Sequence, residues 1–306
     1  MADAAKRYAV VTGSNKGIGF ETVRQLASKG IKVLLTARDE KKGLEALHAL
    51  KEFGLSNDDV VFHQLDVADP ASVASMADFV KTHFGKLDIL VNNAAILGAK
   101  IDFDAISSFI KLAPNAELQE QATVPVNDLS AIMSQTYESA EECVQTNYYG
   151  AKRVVELLLP LLQLSDSPRV VNVTTSAAKL ENINSEWAKG ILIDDKRLTE
   201  ERVDEVLHEF LKDMKEGSLE TKGWPPHSSA YIVSKAALNS YTRLLAKRYP
   251  SFCINSVCPG FVKTDITNNT GILSAAEGAS YSVRLALLPK GGPSGVFFRQ
   301  EEATLY

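Results

Sequence analysis

Two residues late in the chain, Tyr231 and Lys235, place a phenol and an ammonium one helical turn apart, so a helix presents them on one face. The helix that must carry them runs from Ser229 to Arg248. A phenol with an ordinary pKa near 10 exchanges protons sluggishly at neutrality. A neighbouring ammonium favours the phenolate, and lowering the phenol's pKa by about three units takes roughly 4 kcal/mol of differential stabilisation. The pair suits general acid–base work on an oxygen atom.

A second constellation offers a seat for a phosphate-bearing ligand. Tyr8 to Val11 is a short apolar run ending at Gly13, which reads as a buried strand. From Ile18 onward, Phe20, Val23, Leu26 and Ala27 recur at helical spacing. Gly13, Gly17 and Gly19, with Asn15, Lys16 and Ile18 between them, fall in the strand-to-helix turn. Missing side chains there let backbone N–H groups and the helix N-terminus approach a pyrophosphate. This is a dinucleotide cradle.

The next strand, Lys32 to Thr36, closes on Ala37, Arg38 and Asp39, where a nucleotide-binding unit reads the adenosine ribose. Asp39, about twenty residues beyond Gly19, would be the ribose carboxylate of an NAD site. Arg38, with small Ala37 beside it and Lys16 as a second cation, suits the 2′-phosphate of NADP, which a carboxylate would repel. The two cations favour NADPH and leave Asp39 as the N-cap of a helix through Leu44, Leu47 and Leu50.

Strand and helix patterns go on alternating. Val60 to Gln64 is a strand followed by Asp66 and Val67; Asp66 either caps a loop or sits beneath the adenine, accepting from its exocyclic amine. Asp69-Pro70 opens a helix to Phe84. Leu87 to Val91 runs into Asn92, Asn93, Ala94 and Ala95, at a strand end of the kind that binds ligands in open parallel sheets. Asn92 suits pinning of neighbouring backbones. Glu141 to Leu162 is a long helix carrying Asn147, and Arg169 to Thr174 is the fifth strand. Cys253 to Val257 is the sixth strand, broken by Pro259-Gly260. A helix from Ser274 to Leu287 and a short seventh strand from Gly295 to Phe298 complete the pattern.

This alternation predicts one α/β domain over 1–306, a Rossmann-type doubly wound sheet of seven parallel strands with helices on both faces. Two long segments, about 97–137 and 178–227, interrupt it as a substrate cap. The first is open to helix near 106–112, and the second holds an amphipathic helix from Thr199 to Lys215. Trp187 and Trp224, with Phe261, suggest that the cap covers an apolar substrate.

Taken in order, Thr12-Gly-Ser-Asn-Lys-Gly-Ile-Gly19, Asn92-Asn-Ala94, Asn147, Tyr231-Ile-Val-Ser-Lys235 and Cys258-Pro-Gly260 resemble the short-chain dehydrogenase/reductase family over almost the whole chain. The long segments before Asn147 and Tyr231, and the ending Leu285-Ala-Leu-Leu-Pro289 with Gly292-Pro-Ser-Gly295, look most like its carbonyl reductase branch. Within that branch the plant ketone reductases acting on menthone-like terpenoids or salutaridine-like alkaloids are the nearest match. The resemblance implies that Tyr231 is the general acid and that both Tyr231 and Lys235 also contact the cofactor, Lys235 at the nicotinamide ribose. It gives Asn147 a water linking the lysine to solvent and Thr175 a hydrogen bond to the substrate oxygen.

Two departures stand out. The fifth strand ends Val173-Thr-Thr-Ser176 where the family commonly has Ser-Ser, so Thr175 takes the catalytic position; Ser176 is the substrate-contacting alternative if the register moves by one. Ala95 stands where the family usually has Gly. By the same resemblance Asn93, Ala94 and Ala95 line the cofactor cleft, and Pro259, Gly260, Val262 and Thr264 cross the nicotinamide face.

Composition narrows the alternatives. Across 306 residues, 33 Lys and Arg against 38 Asp and Glu give a net charge of −5, with no dense basic block, so no nucleic-acid partner is expected. No run of about eighteen apolar residues occurs, which argues for no membrane partner and a cytoplasmic location. Cys143, Cys253 and Cys258 have no CxxC spacing and the five histidines are dispersed, so no metal is expected. The segment 178–227 is placed to cover the face through which many family members pair, which predicts a monomer. The expected activity is NADPH-dependent reduction of a ketone or aldehyde on a hydrophobic small molecule, with the reverse oxidation possible. A non-catalytic NADPH-binding regulator and an enone C=C reductase are the alternatives on the same fold.

Overall fold

The computed structural model describes residues 6–101 and 133–306. Strands β1 (Tyr8–Val11), β2 (Lys32–Ala37), β3 (Val60–Gln64), β4 (Ile89–Asn92), β5 (Arg169–Val173), β6 (Cys253–Cys258), β7 (Phe297–Arg299) and β8 (Glu302–Thr304) form one sheet in the order β8-β7-β6-β5-β4-β1-β2-β3. The first seven are parallel, as the alternation predicts. An eighth, β8, adds antiparallel to β7 at the edge. Its two-residue turn places Gln300 at φ 58°, a conformation that glutamine rarely signals, so the hairpin was not readable from the sequence.

Period-two alternation gives this sheet its two apolar faces. Val10 lies level with Leu34 and Leu90, and Leu90 with Val170, all on one face. Ala9, Val11, Val33, Leu35, Ile89, Val91 and Val171 fill the other. Helices α1 (Gly17–Ala27), α2 (Glu40–Lys51) and α9 (Ala275–Ala286) cover the second face. Helices α3 (Pro70–His83), α4 (Tyr137–Val144), α5 (Ala151–Leu162) and α8 (Ser229–Arg248) cover the first. Local chemistry sets their starts. Asp39 accepts from Lys42 N at 3.0 Å and Asp69 from Ala71 N at 2.9 Å, while Ser274 and Glu277 form a reciprocal cap.

The long helix expected over 141–162 begins earlier, at Tyr137, because Thr136 and Ser139 cap each other. It also contains a π-helical segment, Gln145–Gly150, between α4 and α5. Of the segment 97–137, Lys100–Ile101 and Met133–Ser134 pair as an antiparallel ribbon; the stretch open to helix near 106–112 lies outside the described residues. The segment 178–227 contributes α6 (Glu186–Ile193), which the sequence reading did not anticipate, and the expected amphipathic α7 (Glu200–Lys215).

Val203, Val206, Leu207 and Phe210 of α7 are fully buried, and the helix packs on α8 and α4. Trp224 belongs to this layer. Its indole N–H donates to Asp213 Oδ2 at 2.8 Å and its ring meets Phe210 edge-on at 5.3 Å, leaving 3% exposed. It is therefore core, not a substrate-facing aromatic, whereas Trp187 and Phe261 are about half exposed. Asp213→Ala should strand the indole N–H and lower the unfolding free energy by about 2–3 kcal/mol in urea titration; an unchanged midpoint would remove this anchor. Among the described residues no helix is long and apolar enough to cross a membrane.

Candidate active site

The glycine turn is held from behind and left open in front. Thr12 Oγ1 accepts from both Asn93 N and Ala94 N at 3.0 Å, and Asn93 Nδ2 donates to Thr12 O and Gly13 O at 2.9 Å. Asn92 Nδ2 donates to Asn172 Oδ1 at 2.8 Å, pinning β4 to β5 as expected. The amide nitrogen of Asn93 is thus engaged by the backbone of the glycine turn. Gly13 and Gly17 take φ 60° and 56°, and a Cβ on Gly13 would stand 2.8 Å from Ala94 Cα. A Cβ on Gly19 would stand 2.6 Å from Asn93 Nδ2 and 2.7 Å from Gly13 O.

Lys16, the N-cap of α1, makes no side-chain cap, so the first N–H groups of that helix have no side-chain acceptor. An uncapped helix start behind a glycine-punctuated turn fits a pyrophosphate. Gly19→Ala should displace the turn and weaken binding of a reduced nicotinamide dinucleotide about tenfold or more, read by fluorescence titration. Unchanged affinity would disprove the seat.

At the adenosine end, Arg38 is exposed at the close of β2 and its guanidinium lies 3.6 Å from Glu142 on α4. Asp66 Oδ1 accepts from Ala68 N at 2.9 Å, a loop cap that uses one of its two oxygens. Val67 is buried against Gly150, and its carbonyl accepts from Arg153 at 2.7 Å. Lys16 departs from expectation. Its ammonium pairs with Asp265 rather than joining Arg38. Thr264 explains why: its methyl lies 3.3 Å from where a Cβ on Gly17 would be, so the loop after β6 rests on the glycine turn. In that loop Val262 packs against Gly278, which Ile18 also approaches, while Pro259 and Gly260 lead out of the strand.

The catalytic candidates converge where α8 crosses the end of β5. Lys235 is 1% exposed, its Nζ donates to Val173 O at 2.8 Å, and it stands 5.9 Å from the Tyr231 ring centroid. Burial pushes the ammonium down to about 8 from 10.5, and burial also raises the Tyr231 phenol above its ordinary value, with Cys258 and Cys143 adding to the rise. In the protein alone, then, the lysine does not pull the phenol down; desolvation of both groups dominates. A raised phenol stays protonated at neutrality, the form a proton donor needs.

The start of α8 is fixed by Ser228 in the left-handed region at φ 47°, by Ser228 Oγ on Met133 Sδ at 3.1 Å, and by Ser229 Oγ on Gln135. Asn147, within the π-helical segment, accepts from Ile96 N at 2.9 Å. Its Nδ2 faces Ile96 O at 2.9 Å, Cys143 Sγ at 3.1 Å and Ser234 Oγ at 3.2 Å. The amide is saturated by protein.

Thr175 Oγ1 accepts from Ala177 N at 3.2 Å, which leaves its own proton to donate. Ser176 Oγ is buried and has no hydrogen-bond partner among the described residues. The threonine's oxygen is positioned by that cap, whereas the serine's oxygen has no comparable anchor among the described residues.

Residues 7–186 match the family described as short chain dehydrogenase. The chain belongs to that family. It is 55% identical over 306 residues to (+)-neomenthol dehydrogenase of Arabidopsis thaliana, covering 99% of both chains. It is similar to the structure of salutaridine reductase from Papaver somniferum, with TM-score 0.90 and 51% identity over 96% of this chain and 99% of that one. The menthone neomenthol reductase of Mentha piperita superposes with TM-score 0.83 and 52% identity, over 98% of this chain and all of that one. As a short-chain dehydrogenase the chain is an oxidoreductase of a family that binds a nicotinamide cofactor. The turn, the loop after β6 and Lys235 are this dehydrogenase's own residues that would hold that cofactor.

Proposed function

We propose that this short-chain dehydrogenase uses NADPH to reduce the carbonyl of a hydrophobic ketone or aldehyde of terpenoid or alkaloid type. The observation that carries the reading is the buried Lys235 one turn from Tyr231, set against the strand end whose next residues include Thr175. The bound nicotinamide supplies the hydride. Tyr231 donates its phenolic proton to the oxygen that becomes the alkoxide, and Thr175 donates a hydrogen bond to the same oxygen. Lys235 supplies positive charge behind the phenol and a donor for the nicotinamide ribose. Asn147 joins the loop at Ile96 to α8 through Ser234 and so keeps these groups in register.

Support for NADPH over NADH comes from the end of β2. Asp39 is engaged as the cap of α2, while Arg38 extends into solvent where a 2′-phosphate would lie. Lys16, held by Asp265, is the weaker part of that argument. The terpenoid or alkaloid class rests on the relatives, and half-exposed Trp187 and Phe261 suit an apolar ligand. A monomer is supported by α7, which covers α8 and α4 and is tied to α5 by Lys152 bridging Glu200 at 3.0 Å and Asp204 at 3.2 Å.

Oxidation of NADPH beside NADH across terpenoid ketones, alkaloid ketones, quinones and simple aldehydes tests the proposal. NADPH turnover confined to apolar ketones is the expected result. A preference for NADH would return the ribose to Asp39, and cofactor binding without turnover on any carbonyl would favour the regulator.

A further inference from the structure

We propose that Glu142 is the counter-ion Arg38 gives up to the cofactor's 2′-phosphate, which makes Glu142 a determinant of NADPH affinity and of the choice between NADPH and NADH. The inference rests on the NADPH reading and adds to it a residue that no motif marks. Arg38 leaves the C-terminal end of β2, whereas Glu142 lies in the last turn of α4, so their 3.6 Å contact joins two walls of the adenosine half of the cleft. A further stretch of that boundary is fixed two turns beyond Glu142, where Gly150 meets Val67 and Arg153 donates to the Val67 carbonyl.

Both side chains are more than half exposed, 67% for Arg38 and 57% for Glu142, so the pair is weak and readily exchanged for a stronger anion. A phosphate offers the guanidinium more charge than a carboxylate and the same bidentate geometry. Once it is seated, Glu142 becomes a like charge close to it. The carboxylate therefore opposes 2′-phosphate binding twice, by occupying Arg38 beforehand and by repelling the phosphate afterwards. Neither effect reaches a cofactor without the 2′-phosphate.

The test is calorimetric titration of the full chain with 2′,5′-ADP and with 5′-AMP, ligands that differ only at the group in question and need no catalysis. Glu142→Gln is expected to tighten 2′,5′-ADP about three- to tenfold at low ionic strength and to leave 5′-AMP within about twofold. The gain should shrink in concentrated salt and be smaller in an Arg38→Ala background, where only the repulsion is left. If Arg38→Ala weakens 2′,5′-ADP but Glu142→Gln changes nothing, the Glu142 assignment is overturned and the NADPH reading stands. If the wild-type chain binds 2′,5′-ADP no more tightly than 5′-AMP, the NADPH reading fails and this inference with it.

Discussion

Tyr231→Phe lowers turnover of a ketone substrate by about 10²- to 10⁴-fold while NADPH affinity stays within about threefold, because only the acid is removed. The ring is retained, so the packing of α8 against β5 is undisturbed, and Lys235 keeps its bond to Val173 O. The split between binding and rate is the informative part. A variant that bound NADPH poorly would assign Tyr231 to the cofactor seat, and one with near wild-type turnover would remove it from the chemistry. Thr175 does not replace the phenol as acid, since its hydroxyl pKa lies far above any the phenol reaches.

Lys235→Met is expected to move stability and activity in opposite directions. The lysine is buried at 1% exposure with one backbone acceptor, and its pKa is held down to about 8 from an ordinary 10.5. A group whose folded pKa is depressed in this sense is a cation the fold disfavours. Its full penalty, roughly 3 kcal/mol, is present below pH 8 and is relieved as pH rises from 8 toward 10.5, where the folded chain has released a proton that the unfolded chain still binds. Methionine removes the charge but leaves Val173 O without its donor, so a net gain of about 1–2 kcal/mol near pH 7 is expected. The gain should narrow between pH 8 and 10. Turnover should fall at least about 100-fold, with weaker NADPH binding. A variant less stable than wild type at pH 7 would show that the ammonium is well compensated inside the fold.

The parts of this site legible in the sequence are those built from local chemistry. The glycine turn, the Asp39 and Asp69 caps and the Tyr231–Lys235 spacing each need only residues within a few positions of one another, and each stands where expected. What the sequence hid depends on distance or on weak punctuation. Lys16 and Asp265 are 249 residues apart, and no spacing rule links them. The π-helical turn around Asn147 keeps the apolar rhythm of the helices on either side, so periodicity could not mark it. Helix α6 has only eight residues, contains Gly190, and starts at Ser185 without a side-chain cap, which leaves little signal above that of a loop. Trp224 was ambiguous because an indole suits either a ligand pocket or a core; the buried carboxylate of Asp213 decided for the core.

The central claim is that hydride passes to a carbonyl carbon. Its most direct test is product analysis after turnover of an α,β-unsaturated ketone with NADPH deuterated at the transferable C4 position. The account predicts deuterium on the carbinol carbon of an allylic alcohol, with the C=C bond intact. Deuterium at the β-carbon of a retained, saturated ketone would contradict it and make the protein an enone reductase on the same fold.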